Sequence, residues 1–165
     1  MRLIRLAKLF LLLILTCGPA CALELGAPAP DFTLPGLDGQ SFKLSDLRGQ
    51  IVLLKLATTW CPACAQQSQE LMRAEGVLQK HGVTVVEVFL QDSADMVKGY
   101  LQQHRSAGES RVLLDDDRVR RAYNVYLIPR TLVIDREFRV RRDGNLLTEQ
   151  ELSKLLAKID SERSS

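Results

Sequence analysis

The sequence predicts an α/β domain, and three observations carry that prediction. Residues 51–57 and 83–90 are near-continuously apolar, as strands covered on both faces are. Helix-like stretches follow each of these runs. A short hairpin pattern precedes them, and an amphipathic helix closes the chain.

The elements follow in order. Residues 23–30 are a Gly/Ala/Pro-rich lead-in without periodicity. Residues 32–34 and 41–44 flank Gly36-Leu37-Asp38-Gly39, which reads as a hairpin. Residues 45–49 read as a short turn or helical cap. After the strand at 51–57, a helix is expected from about Pro62 to His81. Pro62 falls near its first turn, where a missing N–H costs little. The second buried strand, 83–90, carries one charge, Glu87. Ser93 caps a helix to about Arg105. A short strand at 111–114 leads to Asp115-Asp116-Asp117, which opens a helix through Tyr123 with its acids at the favourable end. Residues 131–135 and 138–141 read as paired strands. The last helix spans 148–158, with Leu152, Leu155, Leu156 and Ile159 on one face. Lys43, Arg48 and the arginines between 136 and 142 read as solvated charges. The sequence shows no internal repeat and no second domain.

The first eight residues carry Arg2, Arg5 and Lys8, residues 9–15 are unbroken apolar, and Ala20-Cys21-Ala22 offers small residues at the right place. That order is a secretory signal peptide over residues 1–22, with the domain at 23–160 and a polar tail at 161–165. The apolar run is far short of the ~20 residues that span a bilayer. Losing three basic residues from a formal net charge of +2 leaves the domain at −1, so nothing points to nucleic acid. Export to the periplasm or another extracytoplasmic space is the expectation. The competing reading is membrane anchoring through the N-terminus or a lipidated Cys17 or Cys21. Both cysteines fit a lipoprotein signal poorly: Thr16 precedes the first, and the second lacks an aliphatic start.

Cleavage there leaves Cys61 and Cys64 as the only thiols, in Trp60-Cys61-Pro62-Ala63-Cys64. Two cysteines separated by two residues, after an apolar strand and at a helix start, suit dithiol–disulfide exchange. A thiolate on the first attacks a disulfide and the second resolves the mixed disulfide. The helix N-terminus favours the thiolate. The alternatives are a structural disulfide or half of a zinc site. A Cys₄ or Cys₂His₂ site needs four ligands at matched spacing, which Cys17, Cys21, His81 and His104 do not supply. Neither a metal nor a separate cofactor is expected; the redox-active pair is the whole couple.

Four landmarks in order give a family resemblance: Gly26-Ala27-Pro28-Ala29-Pro30-Asp31-Phe32, Leu44-Ser45-Asp46-Leu47-Arg48-Gly49, Ala57-Thr58-Thr59-Trp60-Cys61-Pro62-Ala63-Cys64, and Ile128-Pro129-Arg130-Thr131-Leu132-Val133-Ile134-Asp135. Over roughly residues 25–159 the chain resembles the thioredoxin fold, and more closely the exported TlpA/ResA-type thiol–disulfide oxidoreductases related to the AhpC-TSA/redoxin group. The resemblance implies a central mixed β-sheet flanked by helices, with an N-terminal β-hairpin extension. It makes Cys61 the attacking and Cys64 the resolving thiol. It makes Ile128-Pro129 a cis-proline site facing the CxxC, with Trp60 covering the sulfurs and Pro62 supporting the motif. An ordinary trans-proline and a merely packing tryptophan are the alternatives.

Three positions depart from the pattern. Many relatives place an acid three residues after the second cysteine; here Gln67 cannot titrate, and otherwise reads as an exposed helix residue. Arg130 interrupts the usual Pro-Thr, with its guanidinium either beside Cys61 or in water. Lys55 stands where thioredoxins carry a buried acid, and Glu87 falls at the position of that acid's lysine partner. The expectation is the same buried pair with charges exchanged, the alternative being that one or both reach the surface. The resemblance favours reduction of protein disulfides in exported proteins, as in cytochrome c or metalloprotein maturation, with a membrane thiol donor restoring the dithiol. Potentials of such pairs span ~150 mV, so direction is open. Peroxide reduction is a second reading, since Thr58 lies three residues before Cys61, although Leu54 replaces the proline expected further back. A copper chaperone is the third. Nothing demands more than a monomer.

Overall fold

The computed structural model describes residues 23–163, so the leader reading and Cys17 and Cys21 lie outside the described residues. Its centre is two fully buried strands, β3 (Ile51–Ala57) and β4 (Val83–Leu90). They run parallel, with Leu53 opposite Val85 and Lys55 opposite Glu87. A parallel pair needs a crossover, supplied here by α1 (Pro62–Arg73) and α2 (Glu75–Lys80). A second crossover, α3 (Ala94–Gln103), leads to β5 (Ser110–Asp115), parallel to β4. After α4 (Arg118–Ala122), strand β6 (Arg130–Ile134) pairs antiparallel with the free edge of β3, and β7 (Val140–Gly144) pairs antiparallel with β6. The sheet order is β5-β4-β3-β6-β7, a mixed sheet. The hairpin of β1 (Thr33–Pro35) and β2 (Ser41–Lys43) forms a separate two-stranded sheet, followed by a 3₁₀ turn at Leu44–Leu47.

Alternation along the strands divides the core in two. Val52, Leu54, Leu56, Val86, Val88 and Leu132 face the hairpin, the lead-in and α4. Ile51, Leu53, Val83, Val85 and Val133 face Leu71 and Leu78 of α1 and α2 and Leu152, Leu156 and Ile159 of the last helix, α5 (Glu149–Arg163). Lys55 shares this second face by parity. Tyr123 is fully buried on the first, its hydroxyl donating to the Pro30 carbonyl at 2.6 Å.

Four expectations are corrected. The helix expected over 62–81 breaks at Ala74, two residues before Gly76, which is a poor helix former, and Glu75 is drawn toward Arg105 (2.8 Å) and the Gly108 amide (3.2 Å). Phe138 is not in a strand: it sits at φ 66° in a turn built by the Asp135 carboxylate, which accepts from the amides of Glu137 and Arg139. The polar C-terminal residues continue α5 through Arg163, helped by an ion pair from Arg141 to Glu162. Of the charges read as solvated, Lys43 and Arg48 are exposed as expected, Lys43 beside Asp31 and Arg48 over the Phe138 ring, whereas Arg136 and Arg142 are half-buried: Arg136 pairs with Asp160, and Arg142 donates to the carbonyls of Thr131 and Leu146.

Candidate active site

Strand β3 ends at Ala57 and hands the chain to α1 through Thr58, Thr59 and Trp60. Cys61 is the N-cap of α1, in extended conformation, with Pro62 at the first helical position, where proline's fixed φ is preorganised. One helical turn brings Cys64 back to Cys61; a disulfide joins them, with their Cα atoms 5.2 Å apart. The Cys64 amide is shared between two acceptors of the N-cap residue, the Cys61 carbonyl at 3.0 Å and Cys61 Sγ at 3.1 Å, as is common at helix termini. The two residues differ in access: Cys61 is 8% exposed and Cys64 0%. The loop ahead of them is held by Asp92, whose carboxylate accepts from the Thr59 amide (2.9 Å) and hydroxyl (2.8 Å). Asp92 follows Gln91, which sits at φ 60°.

The Ile128–Pro129 peptide is cis, and the Ile128 carbonyl oxygen lies 4.0 Å from Cys61 Sγ. Ile128 packs against the small cluster of Ala57, Cys61 and Cys64. Around this point Trp60, Tyr126 and Leu127 are each more than 60% exposed. Trp60 thus stands beside the motif with most of its surface in solvent. Lone exposed apolar residues are ordinary, but three grouped near the CxxC suit a contact surface.

Beneath α1 the expected pair is present. Lys55 is fully buried, and its Nζ donates to Glu87 Oε2 at 2.8 Å and to Ser68 Oγ at 2.5 Å. Ser68 also bonds the Cys64 carbonyl (3.3 Å) and the Tyr100 hydroxyl (3.2 Å). A serine has one proton, and only the Cys64 carbonyl must receive it, so the Tyr100 hydroxyl is the donor to Ser68. The sequence reading did not include Ser68 and Tyr100. Ser68 was traceable, lying four residues after Cys64 and so on the same helix face; Tyr100 carries no such signal.

Gln67 and Arg130 are placed differently from expectation. Gln67 is fully buried rather than exposed: its amide accepts from the Leu147 N–H (2.6 Å) and donates to the Leu147 carbonyl (3.0 Å), tying α1 to the start of α5. Arg130 directs its guanidinium neither to Cys61 nor to water. It binds Asp143 through Nε–Oδ1 (2.7 Å) and Nη2–Oδ2 (2.5 Å), and reaches the carbonyls of Tyr123 and Asn124. The remaining expected residues, Trp60, Cys61, Pro62, Cys64, Ile128 and Pro129, converge on one end of the sheet.

The sequence pattern of the AhpC/TSA family matches residues 25–143. The chain is 30% identical over 122 residues to the thiol-disulfide oxidoreductase ResA of Geobacillus thermodenitrificans, covering 73% of this chain and 69% of that one. It is 31% identical over 116 residues to the thiol:disulfide interchange protein DsbE of Allochromatium vinosum, covering 69% and 62%. A crystal structure from Chlorobium tepidum, described as a thiol:disulfide interchange protein DsbE, superposes with a TM-score of 0.71 at 29% identity over 84% of this chain and 97% of that one. With its CxxC at a helix N-terminus in a mixed five-stranded sheet, this chain belongs to the AhpC/TSA family and, within it, to the thioredoxin-like thiol–disulfide oxidoreductases of ResA type.

Proposed function

We propose that this chain reduces disulfides of exported proteins, with Cys61 as the attacking and Cys64 as the resolving thiol. The observation that carries the reading is the asymmetry of the pair: Cys61 keeps a small exposed surface near the exposed Trp60, Tyr126 and Leu127, while Cys64 keeps none. In the reduced protein the Cys61 thiolate attacks one sulfur of a substrate disulfide and forms a mixed disulfide, releasing the other sulfur as thiolate. Cys64 then loses its proton and attacks Cys61 Sγ. The substrate leaves as a dithiol, and Cys61–Cys64 is oxidised. The Cys64 amide on Cys61 Sγ and the start of α1 favour the attacking thiolate. The Ile128 carbonyl beside Cys61 gives an incoming extended chain a backbone acceptor at the reaction point. A membrane-side thiol donor restores the dithiol, and no bound cofactor takes part. Export through residues 1–22 and a place in cytochrome c or metalloprotein maturation belong to the same proposal. Among the described residues, no helix is long and apolar enough to cross a membrane.

The reduction potential of the pair, equilibrated against a glutathione or dithiothreitol series, tests the direction. A value near or below that of thioredoxin supports a reductant. One near the strong periplasmic oxidants, ~150 mV higher, makes the chain a disulfide donor instead. One observation favours peroxide as a second substrate: the buried Thr58 hydroxyl, three residues before Cys61, has no hydrogen-bond partner. Consumption of hydrogen peroxide by the dithiol as fast as exchange with a protein disulfide would favour that reading.

A further inference from the structure

Arg130 is the residue after the cis-proline, and its buried side chain closes a ring. Its guanidinium grips both oxygens of Asp143 on β7, while Nη1 turns back to the carbonyls of Tyr123 and Asn124. Those carbonyls, seven and six residues upstream, belong to the C-cap of α4 and the residue after it. Residues 125–129 lie between, so this loop is tied at both ends by the side chain of the residue that follows it. Four N–H groups of one planar fork are used at once, in two directions. A lysine offers its donors from a single point and cannot hold the carboxylate and both carbonyls in that geometry. Cations are favoured at the carbonyl end of a helix, which adds to the hold. Asp143 is itself fixed, its side chain 4% exposed and accepting also from the Leu23 amide at 2.8 Å.

The tied loop carries the features that face a substrate. Tyr126 and Leu127 are its exposed side chains, and Ile128 presents the carbonyl 4.0 Å from Cys61 Sγ. Val125 is buried, and its amide donates to the Arg120 carbonyl at 2.9 Å, so the loop is anchored at its base and free at its tip.

We propose that the Arg130–Asp143 pair is a positioning clamp that holds loop 125–129 against Cys61 and so sets how well a protein disulfide docks there. The clamp acts on docking and leaves the sulfur chemistry to Cys61 and Cys64. This rests on protein disulfides being the substrate class. Replacing a buried ion pair by apolar residues is often neutral for stability, so the role assigned to this one is geometric.

The test uses Arg130→Lys together with the double variant Arg130→Met/Asp143→Leu, which removes the clamp without leaving a buried charge. Second-order rate constants of the reduced proteins are measured with insulin and with oxidised glutathione. The expected result is that the insulin-to-glutathione ratio falls about tenfold in both variants, a smaller loss than the roughly 10²-fold that a 1 Å misplacement can bring. Amide hydrogen exchange at residues 125–128 should speed up about tenfold while the amides of β3 and β4 keep their protection. An unchanged ratio, or unchanged exchange in this loop, overturns the clamp. A wild-type protein that exchanges with glutathione but not with insulin refutes the protein-disulfide reading, and the exchange data still decide the clamp.

Discussion

Replacing Lys55 by methionine removes a cation whose side chain is 0% exposed and strands Glu87, whose side chain is 5% exposed, without its partner 2.8 Å away. Methionine matches the lysine stem in volume, so the cavity contribution is small. What remains is a buried carboxylate without a counter-charge, together with a Ser68 hydroxyl that loses its 2.5 Å donor. Breaking such a pair from one side costs about 3–5 kcal/mol. Glu87→Gln keeps an acceptor in place but leaves the ammonium unneutralised, with a loss of the same order. The double variant contains neither charge, so its loss falls short of the sum of the two by about 2 kcal/mol or more. The assay is urea unfolding of the oxidised proteins at neutral pH, followed by circular dichroism. With a slope of about 2 kcal/mol/M, each single variant moves the midpoint down by roughly 2 M. Single losses that add in the double variant, at an unchanged slope, would refute the pairing.

Two further outcomes follow from buried groups elsewhere. Burial, with Asp31 adding, holds the Tyr123 phenol well above the usual tyrosine range. A raised folded-state value means that the stability it contributes is complete below about pH 10, where an unfolded tyrosine begins to ionise, and is lost as pH rises beyond that. Melting temperatures between pH 8 and 11.5 should therefore fall more steeply above pH 10 in the wild type than in Tyr123→Phe, and parallel curves would contradict this. Gln67→Leu leaves the buried N–H and carbonyl of Leu147 unpartnered and should cost about 2–4 kcal/mol in urea unfolding. A loss under 1 kcal/mol would show that the Gln67 contacts do not matter.

What the sequence disclosed was what local pattern can encode. The two buried strands show as unbroken apolar runs, and Glu87 stood out as the charge inside one of them. The CxxC fixes its own geometry through helical spacing. Lys55 and Glu87 became a pair once the family pattern placed them on neighbouring strands, and the strand register puts them opposite each other. The partners of Gln67 and Arg130 were hidden for a different reason. Gln67 bonds backbone atoms 80 residues away, and Arg130 bonds two carbonyls as well as a carboxylate 13 residues on. Every residue has a carbonyl and nearly every one an N–H, so such contacts leave no trace in side-chain type. Phe138 failed similarly: a positive φ at a phenylalanine comes from the carboxylate-built turn around it, which the apolar pattern at 138–141 obscured.

The most direct measurement is trapping of the exchange intermediate. Reduced Cys64→Ser and Cys61→Ser variants are mixed with a protein disulfide, and the products are separated by mass without reductant. We expect the Cys64→Ser protein to accumulate a covalent adduct through Cys61 and the Cys61→Ser protein to form little, because Cys64 keeps no exposed surface. Equal trapping by both variants, or an adduct only through Cys64, would contradict the assignment of Cys61 as the attacking thiol.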